Sequence, residues 1–215
     1  MGGLRKPNFR NMNPRKAFIV LVSLAAITTG AWFSFQLASQ PPVPRTATLL
    51  PATSELPEFS LLNQDGEAIG RDVFKGQWDL LFFGFTQCPD ICPLTLQILA
   101  NAQQQLADAG QQPLPRIVLV SVDPERDTPD AIGEYVGHFG KDSLGITGSM
   151  DELRKLTNSL GIFFEKSETD EENYSVAHSA VVLVVDPDGR FHSLFGTPHE
   201  AENFVHDLRI IMSEQ

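Results

Sequence analysis

One stretch limits this chain more than any other. Leu80 to Phe85 is apolar at every position bar Gly84, and it leads directly to Cys88-Pro89-Asp90-Ile91-Cys92-Pro93, which holds the only two cysteines in 215 residues. Leu96, Leu99, Ala100, Ala102 and Leu106 follow at helical spacing. The order is therefore strand, corner, helix. A strand apolar on both faces belongs at the centre of a parallel sheet covered on both sides, so the chain is expected to be an α/β protein with its cysteines at a strand-to-helix corner. A helix N-terminus carries partial positive charge and free N–H donors, which favour thiolate over thiol. Two chemistries suit such a corner: reversible disulfide exchange and soft-metal binding. Residues four apart on a helical turn have Cα atoms about 6 Å apart, within disulfide reach and able to converge on one ion. Pro93 disfavours helical geometry at Cys92 and is itself suited to a first helical position, so helical turn and loop both stay open. A static staple is the bland alternative, but closing so short a loop removes little entropy from the unfolded chain.

The N-terminus sets the compartment. Residues 1–16 hold Arg5, Lys6, Arg10, Arg15 and Lys16 and no acid, while residues 17–38 carry no charge. A helix of that length spans about 33 Å, enough to cross a bilayer. The positive-inside rule leaves the basic flank in the cytoplasm and exports the rest. The small-x-small triads Ser23-Leu24-Ala25 and Thr29-Gly30-Ala31 lie inside the apolar run, so a retained anchor is favoured over a cleaved signal peptide. No cysteine lies near this segment, which excludes a lipoprotein. The chain has formal charge −11 despite its basic flank, so the exported part is more acidic still. That argues against nucleic acid and anionic lipid surfaces as partners. Residues 39–57 hold five prolines and read as an extended tether, leaving residues 58–215 as the folded domain.

Within that domain, Phe59–Leu62, Asp65-Gly66 and Ala68-Ile69 predict a small hairpin. Leu80–Phe85 and Arg116–Val122 predict buried strands, and Leu144–Gly148 a short edge strand. Helices are expected over 94–109, Thr128–Phe139, Met150–Leu160 with Ser149 as cap, and Pro198–Met212. Ser179–Val185 and Arg190–Phe195 flank Asp186-Pro187-Asp188-Gly189, a strong hairpin signal. Strand–helix–strand, a further helical stretch, a β-hairpin and a final helix is the thioredoxin-fold order, here with an added N-terminal hairpin and an insertion at 124–175.

Three ordered motifs carry a resemblance. GFTQCPDICP at 84–93, SVDPERDTP at 121–129, and Tyr174-Ser175-Val176-Ala177-His178-Ser179 followed by a strand and DPDG resemble the signatures of the Sco/SenC family, copper-handling proteins of cytochrome oxidase assembly. The resemblance covers roughly residues 57–212. It implies Cys88 and Cys92 as sulfur ligands and a redox-active pair, with a Cys88–Cys92 disulfide that depends on redox state, and His178 as the third copper ligand. The family usually has Asp immediately before that histidine, an acid able to orient the imidazole. This chain has Ala177, a departure that bears on Cu(II) affinity and partner docking and leaves the ligand set intact.

Topology makes the same juxtaposition. Sites in open α/β sheets form beyond the C-terminal ends of parallel strands. Cys88 and Asp123 follow two such ends, and an antiparallel strand after His178 would begin at the same rim. His138, His192, His199 and His206 keep ordinary structural readings. Asp123, Arg126 and Asp127 are either a turn with an internal ion pair or part of the site's surroundings, and Asp90 is expected to cap the corner.

The leading expectation is a copper metallochaperone, single-pass in the inner membrane with its domain on the periplasmic side. The resemblance implies the copper-bearing subunit of a cytochrome c oxidase, other copper chaperones or a thiol reductase as partners. The alternative is a thiol-disulfide oxidoreductase acting on partner cysteines. A peroxiredoxin is a weaker third, because the threonine expected three residues before the peroxidatic cysteine is missing.

Overall fold

The computed structural model describes residues 13–38, 42–167 and 174–213. The chain divides into two units at Pro42/Val43. The first contains helix α1 (Pro14–Ala38), whose stretch Pro14–Gln36 is long and apolar enough to cross a membrane.

The second unit carries the strands β1 (Ala47–Glu55), β2 (Leu61–Asn63), β3 (Ala68–Ile69), β4 (Asp79–Gly84), β5 (Arg116–Ser121), β6 (Leu144–Thr147), β7 (Phe164–Lys166), β8 (Val176–His178), β9 (Val182–Val185) and β10 (Arg190–Phe195). Its helices are α2 (Ile91–Asp108), α3 (Pro129–Gly137), α4 (Met150–Ser159) and α5 (Ala201–Ile211). Eight strands form one sheet in the order β1-β10-β9-β4-β5-β6-β2-β3, while β7 and β8 form a separate ribbon. β4 runs parallel to β5 and antiparallel to β9. All residues of β4 and β9 are buried, as an unbroken apolar run at the sheet's centre requires. Phe82, Phe83, Leu96, Leu99, Leu106, Phe195 and Phe204 are among the fully buried side chains of the core, and α2 packs against α5. The central order β5-β4-β9-β10 with β9 reversed is the thioredoxin-like core, and the N-terminal hairpin is present as β2–β3.

Turn chemistry explains the local boundaries. In the β9–β10 hairpin the Asp186 carboxylate accepts from the N–H groups of Asp188 (3.0 Å) and Arg190 (2.9 Å), and Gly189 takes φ 77°. Thr128 and Ser149 cap α3 and α4 through their hydroxyls.

Four expectations are corrected. The tether does not extend to residue 57, because β1 pairs antiparallel with β10. That strand is an edge, mostly exposed, with a register shift between Leu49 and Ser54 that surrounds Pro51. It has no apolar alternation to read, and proline is tolerated at such an irregularity. β6 is not an edge, since β2 pairs on its far side. Val176–His178 is a strand of its own, paired with β7, and the hairpin strand begins at Val182 rather than Ser179. The last helix begins at Ala201 rather than Pro198.

Candidate metal centre

β4 ends at Gly84 and the chain turns through Phe85–Asp90 into α2. Cys88 lies in this turn and Cys92 in the first turn of the helix. The corner is thus loop at one cysteine and helix at the other, and the Cys92 N–H donates to Cys88 Sγ at 3.4 Å. Asp90 occupies the N-cap position without a side-chain hydrogen bond to the helix, so its expected capping role is not seen.

The corner is held from the turn that follows the neighbouring strand β5. Asp127, 1% exposed, accepts from the Thr86 N–H (3.1 Å), the Thr86 hydroxyl (2.6 Å) and the Ser121 hydroxyl (2.7 Å). Burial raises its pKa, and the donors from Thr86 and Ser121 oppose that rise. Gly84 provides space for the buried sulfur: a Cβ at this position would lie 2.8 Å from Cys92 Sγ.

The reversal of β9 brings the preceding ribbon to the same rim. His178 Nε2 lies 3.4 Å from Cys92 Sγ. The ligand atoms of Cys88, Cys92 and His178 all lie within 4.8 Å of one another, and this is the only such group found among the described residues. Both cysteines are free thiols. His178 Nδ1 is 3.4 Å from the Ser179 carbonyl. The tautomer protonated at Nδ1 donates there and leaves the Nε2 lone pair facing the sulfurs. Phe82 and Phe85 meet the imidazole edge-on at 5.7 and 6.0 Å. Burial lowers the His178 pKa against the Ser179 contact, which favours the neutral ring.

Burial, then the proximity of Cys88, pushes the Cys92 thiol well above its ordinary range. This runs against the expectation from the helix terminus alone, because burial disfavours the charged thiolate. A bound cation would reverse the balance, since a coordinating thiol deprotonates. Two thiols and one imidazole suit a soft or borderline ion, and the absence of a fourth clustered donor among the described residues is unlike a closed structural zinc site.

Asp123 reaches this neighbourhood, forming an ion pair with Arg126 inside its own turn. The other histidines stay outside: His199 Nε2 faces the Ala180 carbonyl at 3.0 Å and His206 Nδ1 faces Asp207 at 2.7 Å. Sequence reasoning overlooked the parts played by Gly84 and the Ser179 carbonyl. A glycine closing an otherwise bulky buried strand is a readable sign of close approach, whereas a backbone carbonyl leaves none.

A thioredoxin-like sheet with two thiols and an imidazole at its rim defines a thioredoxin-like protein with a candidate metal site. Residues 48–213 match the sequence model of the SCO1/SenC family, and the chain belongs to that family. The mitochondrial SCO2 homolog of Homo sapiens is 35% identical over 184 residues, covering 84% of this chain and 69% of that protein. Arabidopsis thaliana ScoI, solved with copper bound, superposes with TM-score 0.69 at 33% identity, covering 74% of this chain and 99% of that one. Apo Sco1 from Thermus thermophilus gives TM-score 0.67 at 34% identity, covering 77% and 95%.

Proposed function

We propose that this protein is a membrane-anchored copper carrier. It takes one copper ion on Cys88, Cys92 and His178 and passes it to the copper-bearing subunit of a cytochrome c oxidase during assembly. The observation that carries this reading is the convergence of two thiols and one imidazole within 4.8 Å; copper-bound relatives of the same fold support it. Three donors leave a position through which a partner's ligand can enter, as a carrier needs. In this reading α1 is the anchor, and the basic residues before it favour a domain on the periplasmic side of the inner membrane.

Copper titration of the reduced protein tests the proposal. We expect about one copper per chain, lost in Cys88→Ser and Cys92→Ser. His178→Ala should weaken Cu(II) more than Cu(I), because two thiolates hold Cu(I) in linear geometry. Unchanged binding in the cysteine variants would refute it. The anchor is checked separately by alkaline extraction of membranes and a reporter fused after residue 60, active only when exported.

A second reading is thiol-disulfide exchange, favoured by the asymmetry of the two sulfurs: Cys88, 9% exposed, is the one a partner can meet, and Cys92, fully buried, lies behind it. The Cys88 thiolate would attack a partner disulfide and release one partner thiolate. Cys92 would then displace the other, leaving a Cys88–Cys92 disulfide and a reduced partner. Such exchange does not need His178, so turnover that survives His178→Ala while Cu(II) binding falls separates the two roles. Oxidised protein should bind no copper until reduced, because a disulfide sulfur has no thiolate to donate.

A further inference from the structure

His178 approaches the sulfurs from a strand outside the main sheet. Among the described strands β7 and β8 pair only with each other, so no sheet ladder fixes β8 over the cysteine corner. The turn after β5 makes the connection. The Tyr174 hydroxyl donates to Asp123 at 2.6 Å, and Tyr174 is 8% exposed. The Arg126 guanidinium lies 3.8 Å from the centroid of the Tyr174 ring, and Arg126 Nη1 donates to the Tyr174 carbonyl at 3.2 Å. Lys166 Nζ, from β7, lies 3.7 Å from the same centroid. Two cations over one ring at such distances would collide on a shared face, so they occupy opposite faces. Arg126 also donates to Gln87 Oε1 at 3.3 Å and lies 5.5 Å over the Phe85 ring. One side chain thus touches the segment that carries Cys88 and the segment that carries His178.

We infer that Asp123 and Arg126 are positioning residues that clamp Tyr174 and thereby set the imidazole of His178 against the two sulfurs. The inference rests on the copper site proposed above. An ion pair serving only its own turn would need Asp123 and Arg126 alone, whereas both reach Tyr174 about fifty residues further on. The cysteines have their own support in Asp127 and Thr86. Loosening the clamp at Tyr174 therefore acts on the imidazole limb and spares the thiols, whereas a change at Arg126 also removes a contact to Gln87. Cu(I), satisfied by two thiolates, tolerates this, while Cu(II) requires the nitrogen.

The test uses full-length protein in detergent, with Arg126→Gln, Arg126→Lys, Tyr174→Phe and Tyr174→Leu. Cu(I) and Cu(II) affinities are measured by chelator competition, and the His178 ring resonances are recorded in the metal-free protein. Tyr174→Leu and Arg126→Gln should weaken Cu(II) about ten- to a hundredfold, the usual cost of losing a group that orients a ligand, with Cu(I) affinity unchanged. The His178 ring signals should move in the metal-free protein in both variants, and in Tyr174→Leu the Cys88 and Cys92 amides should stay in place. Tyr174→Phe, which keeps the stacked ring, should lose less than Tyr174→Leu. Wild-type Cu(II) affinity with unmoved ring signals in folded variants would overturn the clamp, as would equal loss of both valences. If Tyr174→Leu or Arg126→Gln fails to fold, Arg126→Lys and Tyr174→Phe decide on the same readouts. Copper binding that survives Cys88→Ser would sink the parent reading instead, and the metal-free ring signals would still judge the clamp.

Discussion

At Gly84 the absence of a side chain is what admits the Cys92 sulfur. The position lies at the end of the central strand β4, where it pairs with Ser121 of β5. Gly84→Ala would place a methyl group 2.8 Å from Sγ, and overpacking of this kind costs about 1–3 kcal/mol. We expect lower stability in urea and a displaced sulfur, with copper affinity falling for both valences. Wild-type affinity in a folded Gly84→Ala protein would show that the sulfur has room to move. Ala177 makes the opposite case. It is exposed and pairs with Glu165, on the face of β8 opposite His178. The imidazole already has the Ser179 carbonyl at its Nδ1. Ala177→Asp should therefore leave the Cu(II) spectrum unchanged and slightly destabilise the ribbon through like charge opposite Glu165, as a Cu(II) titration with a melting curve would show. The three clustered donors were legible because residue type, spacing and motif all pointed to them. The surroundings were not, because the Ser179 contact uses backbone and the Tyr174 clamp joins segments far apart in the chain.

Among the elements, the strands of the core were legible where burial on both faces leaves an apolar run, as in β4 and β5, and β9 was found with its start placed three residues too early. β1 escaped because its attachment is polar and remote. The Asp207 carboxylate, fully buried in α5, accepts from the N–H groups of Arg45 (2.7 Å), Thr46 (2.8 Å) and Ala47 (2.8 Å). Burial works to raise the Asp207 pKa, but these donors and His206 overcome it and hold the group at about 2. A carboxylate whose folded pKa is depressed adds stability above its unfolded value of about 4 and loses it as pH falls toward 2. The contribution at neutral pH is about 2 kcal/mol. Asp207→Asn should lower unfolding stability by roughly that amount at pH 7, with the gap to wild type closing below pH 4. Amide hydrogen exchange should show Ala47 opening first. A gap that is constant from pH 7 to pH 3 would mean that the charge on Asp207 is not what secures β1.

At the scale of the whole molecule, His178 lies 86 residues along the chain from Cys92. An unfolded chain has a pair of neighbouring thiols but no three-donor site. Any ion that needs the imidazole therefore binds the native state alone and draws the folding equilibrium toward it by mass action, with about 2.7 kcal/mol gained when free ligand exceeds its Kd a hundredfold. Cu(I), which the isolated thiol pair can also hold, gives back part of that gain. Cu(II) should thus raise the thermal midpoint of wild-type protein and leave that of His178→Ala nearly unmoved, a difference read directly by calorimetry. An equal rise in both would place the ion elsewhere. If the protein hands on copper as proposed, its empty and loaded forms would differ in lifetime as well as in cargo: the chain that has given up its copper unfolds more readily, and proteases that sample unfolded chains would remove it first.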